Sequence, residues 1–163
     1  MSPQGRPKGE FRSAQHEGTP VSVRDIEILL VEDQPTDAEL VLRALSRAVP
    51  RERIAWVRDG EQAIERLLSM AGTPGAALPR LVLLDLKMPR VGGLEVATRV
   101  RAEPSLCRVP LVILSSSAVG SDIAQACRCG VNSYVVKPVD LDGLERAVLQ
   151  LADYWLGLNR VEG

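Results

Sequence analysis

The amino-acid sequence predicts an α/β domain built on a parallel sheet with helices on both faces. Three features carry that reading. Five short apolar runs rich in Val, Ile and Leu recur along the chain. The central ones lack the polar alternation of a half-exposed strand, which suits strands buried on both sides. Between the runs lie segments with apolar residues three and four apart. Five strand–helix alternations in succession favour crossover connections within one sheet.

Taken in order, residues 1–24 are rich in Gly, Pro, Ser and charge, with a single aromatic, Phe11. Too little apolar surface is available there to offset the entropy of ordering, so this tail is expected to stay disordered. The folded unit is expected over 25–158, with 159–163 as a short C-terminal tail. Ile26 to Val31 reads as the first strand and ends at Glu32-Asp33. Pro35 suits the first position of a helix, and Thr36 and Glu39 have capping-box spacing. Ala38, Val41, Leu42, Leu45 and Val49 form its apolar stripe, and Pro50 stops it. Arg53 to Val57 is the second strand. Asp59-Gly60 then turns the chain into a helix with Ala63, Ile64, Leu67, Leu68 and Ala71 inward.

A Gly/Pro/Ala loop from Gly72 to Pro79 leads to the third strand, Leu81 to Asp85, whose last residue is a carboxylate. Met88-Pro89 and Gly92-Gly93 release the chain into a loop, and a helix follows from Gly93 to Glu103 with Leu94, Ala97 and Val100 inward. Leu111 to Ser115 is the fourth strand. The helix from Ser121 to Cys129 closes on Gly130, a good left-handed cap. Ser133 to Val136 is the fifth strand, followed by Lys137-Pro138 and a last helix from about Asp140.

Composition narrows the functional classes. The chain has 163 residues, 45% of them hydrophobic, and a formal net charge of −1. That suits one domain with a core, and it lacks the basic excess that attracts nucleic acid. No apolar run approaches the roughly 20 residues of a membrane span. The N-terminus has no apolar secretory stretch, so a cytoplasmic location away from membranes is expected. Cys107, Cys127 and Cys129 form no even framework, and Cys127-x-Cys129 is wrongly spaced for a zinc knuckle, so reduced thiols are expected. The single histidine, His16, lies in the tail, which argues against a histidine-based metal site or triad.

The chemistry is concentrated at strand ends. In a parallel sheet the carboxyl ends share one edge, where open α/β sheets place their ligands. Glu32, Asp33 and Asp85 would meet there and repel one another unless a cation joined them. Oxygen ligands of this kind suit Mg²⁺, which keeps several waters and favours phosphate partners. Lys137 supplies a positive charge for a phosphoryl oxygen, and the Ser115 hydroxyl another hydrogen bond. An Asp carboxylate beside Mg²⁺ can act as a nucleophile and form an aspartyl phosphate. Singly, each piece has a plainer use: Glu32-Asp33 at a helix's positive end, Lys137 in a solvated turn, Ser115 as a strand-end hydroxyl. Their joint occurrence at matching strand ends favours the site.

The combination Ile28-Leu29-Leu30-Val31-Glu32-Asp33, Asp59-Gly60, Leu84-Asp85-Leu86-Lys87-Met88-Pro89, Gly92-Gly93, Ser115 and Lys137-Pro138 resembles the receiver domain of two-component response regulators. The resemblance runs from about Asp25 to Leu158. It implies a flavodoxin-like, doubly wound sheet of five parallel strands in the order 2-1-3-4-5. It also implies that Asp85 is the phosphoacceptor, that Asp33 and Asp85 ligate Mg²⁺ with help from Glu32, and that the Lys87 backbone carbonyl completes the protein ligands. Ser115 and Tyr134 would form the switch, Lys87 and Ser117 would tune hydrolysis, and the Lys137-Pro138 bond would be cis.

The same resemblance implies a sensor histidine kinase as phosphodonor, slow autodephosphorylation and no turnover enzymology. With little chain beyond the last helix, a single-domain regulator signalling by protein contacts is expected. The last helix carries one stripe through Leu141, Leu144, Val148, Leu151, Trp155 and Leu158. A second runs through Leu149, Ala152 and Leu156, with Tyr154 beside it. A helix apolar on more than one face is usually covered, so a homodimer through Leu149, Ala152, Trp155 and Leu156 is expected. The alternative is that the last turn folds back on its own domain. The ending Tyr154-Trp155-Leu156-Gly157-Leu158-Asn159 is similar to that of receivers paired with phytochrome-type kinases. Two other functions fit part of the pattern. A Mg²⁺-dependent phosphohydrolase would want a second Asp two residues beyond Asp85, where Lys87 stands. A phosphorylation-independent scaffold would not need the acidic cluster.

Overall fold

A computed structural model describes residues 26–160. The expected tail over 1–24 lies outside the described residues. Five parallel strands, β1 (Ile28–Val31), β2 (Ile54–Val57), β3 (Leu81–Leu84), β4 (Leu111–Ser115) and β5 (Ser133–Val136), form one sheet in the order β2-β1-β3-β4-β5. The helices are α1 (Pro35–Leu45), α2 (Gly60–Gly72), α3 (Gly93–Ala102), α4 (Gly120–Arg128) and α5 (Leu141–Ala152). This is the flavodoxin-like order expected. Among the described residues no helix is long and apolar enough to cross a membrane.

Alternate residues of each central strand face opposite ways, and the two faces build two cores. Leu29, Val31, Val82, Leu84, Leu111 and Ile113 pack under α2 and α3, against Ala63, Leu67, Val96, Ala97 and Val100. Ile28, Leu30, Leu81, Leu83, Val112 and Leu114 pack under α1 and α5, against Val41, Leu45, Leu144 and Val148. Every residue of β1, β3 and β4 is buried, as unbroken Val/Leu/Ile runs require.

Several local expectations are corrected. The Thr36/Glu39 capping box is not formed: α1 starts at Pro35 and Gln34 is its N-cap, without a side-chain bond. Proline's fixed φ places the start at Pro35, so Thr36 falls inside the helix. In α2 Ala63, Leu67 and Met70 are buried, and Ile64 and Ala71 pack against the same core as expected. Leu68, one step around the helix from Leu67, is exposed. Val96 rather than Leu94 is the fully buried residue early in α3. The Lys137-Pro138 bond is trans, like every peptide bond among the described residues. The two isomers of an X-Pro bond differ by only about 1 kcal/mol, so sequence alone does not decide between them.

The last helix also differs. After Ala152 it continues as a π-helical segment, Asp153–Leu158. Ala152, expected on a partner-facing stripe, is buried within its own domain. Trp155 and Leu156 pack against the same core from its rim. Arg80 donates to the Leu156 carbonyl, tying this end to the chain just before β3. The wider π turn rotates these side chains toward the domain, so most of the second stripe is satisfied internally. Leu149 is half-buried, while Tyr154 and Leu158 stay exposed.

One close approach matters for the site. A Cβ placed on Gly93 would lie 2.4 Å from the Asp85 carbonyl oxygen and 3.0 Å from the Leu86 Cα. Gly93→Ala is expected to push the β3–α3 loop away from β3 and cost about 1–3 kcal/mol, as overpacking does. Urea denaturation measures this, and a cost below a few tenths of a kcal/mol would show the approach to be unimportant.

Candidate phosphoacceptor and divalent-cation site

The site grows from the register of the strands. Val31 pairs with Leu84 across β1 and β3, so the next residues, Glu32 and Asp85, emerge side by side at the carboxyl edge. Their backbones remain tied to the sheet. Asp85 N–H donates to Val31 O at 2.9 Å, and Glu32 N–H donates to Val57 O at 3.1 Å. On the other side, Ser115 pairs with Val136, and Lys137 N–H donates to Ser115 O at 2.8 Å. The ladders therefore place the acidic and basic residues before any side-chain contact forms.

Ligand oxygens of Glu32, Asp33 and Asp85 lie within 4.8 Å of one another. Three carboxylates this close form an oxygen-only donor set that fits a hard divalent cation. Glu32 is buried, and its Oε1 accepts from Gln34 N–H at 3.1 Å. Trp56 Nε1 donates to Glu32 O at 2.9 Å and pins its backbone. Gln34 Nε2 donates to Asp33 Oδ2 at 3.3 Å.

Lys137 faces this cluster with its side chain only 11% exposed. Its ammonium donates to Glu32 Oε2 at 2.7 Å and to Asp37 Oδ2 at 3.1 Å, and it lies 4.0 Å from Asp85 Oδ1. Burial alone would lower the ammonium's pKa. The hydrogen bond and negative charge of Glu32, the charge of Asp85 and the Asp37 bond outweigh it, so Lys137 stays charged and its pKa is raised. Asp85 is pushed up to about 6, first by burial and then by the negative charge of Glu32. Lys137 and the backbone N–H of Leu86 pull it down, and Asp33 adds a further upward push. A divalent cation held by this cluster would favour the charged carboxylate and pull that pKa back down.

Ser115 is buried at the end of β4, and its Oγ accepts from Ser117 N–H at 3.3 Å. Tyr134 packs against the α2/α3 core, and its hydroxyl donates to Ser117 O at 2.8 Å. The structure thus brings together Glu32, Asp33, Asp85 and Lys137 and sets Ser115 on the adjoining strand end. Lys87 follows Asp85 in the loop, with an exposed side chain. Asp37 is the residue that the sequence reading missed. An acid in a first helical turn reads as a dipole complement, and only its place five residues beyond Glu32, on the same edge, hinted at more.

Comparison with known proteins gives the same picture. The family model described as the response regulator receiver domain matches residues 28–149. The probable methanogenesis regulatory protein FilR2 of Methanothrix harundinacea is 42% identical over 136 residues, covering 83% of this chain and 87% of that protein. Response regulator Rcp1 of Synechocystis sp. is 33% identical, covering 79% of this chain and 88% of that protein. A Mn²⁺-bound form of a response regulator named Rcp1 superposes with a TM-score of 0.73 at 31% identity, over 83% of this chain and 98% of that one. The phosphorylated cyanobacterial phytochrome response regulator RcpA superposes with a TM-score of 0.76 at 33% identity, over 83% of this chain and 97% of that one.

The raised pKa of Asp85 has a thermodynamic consequence. The folded state retains this proton up to about pH 6, so the group's stabilising contribution is complete below about pH 4. It is lost as the pH rises through about 6, at a cost of at most about 3 kcal/mol. Asp85→Asn removes that cost. Without divalent cations, its stability advantage over wild type should therefore grow between pH 4 and pH 7.5, and a saturating divalent cation should shrink it. Denaturation curves of both proteins across this range provide the check, and a pH-independent difference would refute it.

Proposed function

Because the chain belongs to the response regulator receiver domain family, we propose that Asp85 is the carboxylate through which it receives its phosphoryl signal. The observation that carries this is the Glu32, Asp33 and Asp85 cluster with Lys137 against it. In the proposed reaction an Asp85 oxygen attacks the phosphorus of a sensor histidine kinase's phosphohistidine. The P–N bond breaks, its electron pair returns to the imidazole, and a new P–O bond forms on Asp85. Lys137 moves from its carboxylate partners toward a phosphoryl oxygen and compensates its charge. The Ser115 hydroxyl donates to another, and Tyr134 follows the β4–α4 loop as the second part of the switch.

The cation is proposed to be Mg²⁺, held by Asp33, Asp85, the Lys87 backbone carbonyl and, directly or through water, Glu32. When bound it supplies positive charge to phosphoryl oxygens in an in-line transfer. Family membership makes the protein a signalling phosphoacceptor, and slow autodephosphorylation is expected of it. The phosphohydrolase reading lacks its acid, since Lys87 stands two residues beyond Asp85. The scaffold reading leaves the Glu32, Asp33 and Asp85 cluster, with Lys137 against it, without a purpose. We also propose a phytochrome-type kinase as donor, supported by the likeness to RcpA, and a cytoplasmic location. The receiver unit is taken as 25–158. Homodimerisation is retained through the end of the last helix, with Leu149, Trp155, Leu156 and the exposed Tyr154 and Leu158 as its contacts.

Incubation with acetyl phosphate and Mg²⁺, read by intact mass, should add one phosphoryl group to the wild type. Asp85→Asn should take none while keeping its fold. Uptake by that variant would overturn the assignment.

A further inference from the structure

Lys87 lies two residues beyond Asp85 in the β3–α3 loop, and its side chain makes a contact that the proposed transfer does not use. Its ammonium lies 3.2 Å from Asp122 Oδ2, and Asp122 stands in the first turn of α4. The same oxygen accepts from the Ser117 hydroxyl at 2.6 Å. Ser117 in turn donates its N–H to Ser115 Oγ and accepts from Tyr134 at its carbonyl. One carboxylate oxygen therefore joins the phosphoacceptor loop, the β4–α4 loop and α4, and reaches β5 through Ser117. The Ser117 bond and then Lys87 hold the Asp122 carboxyl below the usual carboxylate range.

The two ends of this link differ in freedom. The Lys87 side chain is 68% exposed and that of Asp122 21%, so the lysine head is the freer end of the pair. Helix α4 has little else to hold it, since Ala126 is its one buried residue. A lysine head cannot serve two anions fully. Adding a phosphoryl group to Asp85 places roughly two negative charges within a short loop of Lys87, and Coulomb attraction scales with that charge.

We propose that Asp122 is a positioning residue that holds the Lys87 ammonium away from the phosphoryl group, and so sets both the lifetime of the aspartyl phosphate and the release of α4's first turn. This rests on Asp85 being the phosphoacceptor. Decay of that species is hydrolysis. A water oxygen attacks phosphorus, the P–O bond to Asp85 breaks with its electron pair returning to the carboxylate, and inorganic phosphate leaves with the water's protons. With Asp122 neutralised, Lys87 is free to lie along the phosphoryl oxygens and obstruct the in-line approach of water. Hydrolysis then slows.

The test uses the full chain, loaded with acetyl phosphate and Mg²⁺, freed of donor and followed by intact mass. Asp122→Asn should lengthen the phosphoryl lifetime by about 2- to 5-fold, the scale of an exposed ion pair. In a Lys87→Met background, Asp122→Asn should change nothing, because the effect runs through the lysine head. Hydrogen exchange of the unphosphorylated Asp122→Asn variant should show faster exchange at residues 121–123, approaching the phosphorylated wild type. A lifetime indifferent to Asp122, or a change that persists without Lys87, overturns the proposal. Failure of the wild type to accept any phosphoryl group would overturn the reading of Asp85 and this proposal with it.

Discussion

The constraint on which the structure depends is electrostatic: several acids share one sheet edge with a single lysine. Glu32, Asp33, Asp37 and Asp85 converge there, and Lys137 lies against Glu32, Asp37 and Asp85. Buried charge is costly, and removing one partner leaves the others uncompensated. Sheet register bears that cost through backbone ladders that fix Val31 beside Leu84 and Ser115 beside Val136. Two apolar cores then clamp the ladders from both sides. A site this loaded with negative charge fits a divalent cation as its counter-charge.

The frame around the site is unequal in stiffness. The strands β1, β3 and β4 are wholly buried. Gly93 and Gly60 press close against the backbone of Asp85 and Val91, where a side chain would find no room. By contrast α4 buries one residue and β5 none fully. Segments with few buried apolar contacts open most readily. The acidic cluster thus sits on the stiff side of the sheet, and hydrogen bonds through Ser117 connect the end of β4 at Ser115 to Tyr134 on the looser β5.

Residues whose placement follows from position along a strand were legible in the sequence. Glu32, Asp33, Asp85 and Lys137 each follow an apolar run, and a parallel sheet leaves those ends on one edge. Residues placed by helix rotation or by distant contacts were not. Thr36 looked like a cap until Pro35 fixed the helix start one residue earlier. Leu68 and Met70 exchange roles because a helical step of about 100° separates neighbours, more than a stripe read by eye resolves. Ala152, Trp155 and Leu156 looked unpartnered because the chain's return beside Arg80 and the turn's widening to a π-helix are tertiary facts. Asp37 and Asp122 were missed for a related reason: an acid in a helix's first turn has an ordinary local explanation, and its partner lies far away in sequence.

The most direct measurement is a crystal structure of the protein with Mn²⁺, located by its anomalous signal. The carboxylate cluster predicts one ion between Asp33 and Asp85, with Glu32 beside it and Lys137 still facing the pocket. An ion bound elsewhere, or none at saturating Mn²⁺, would contradict it.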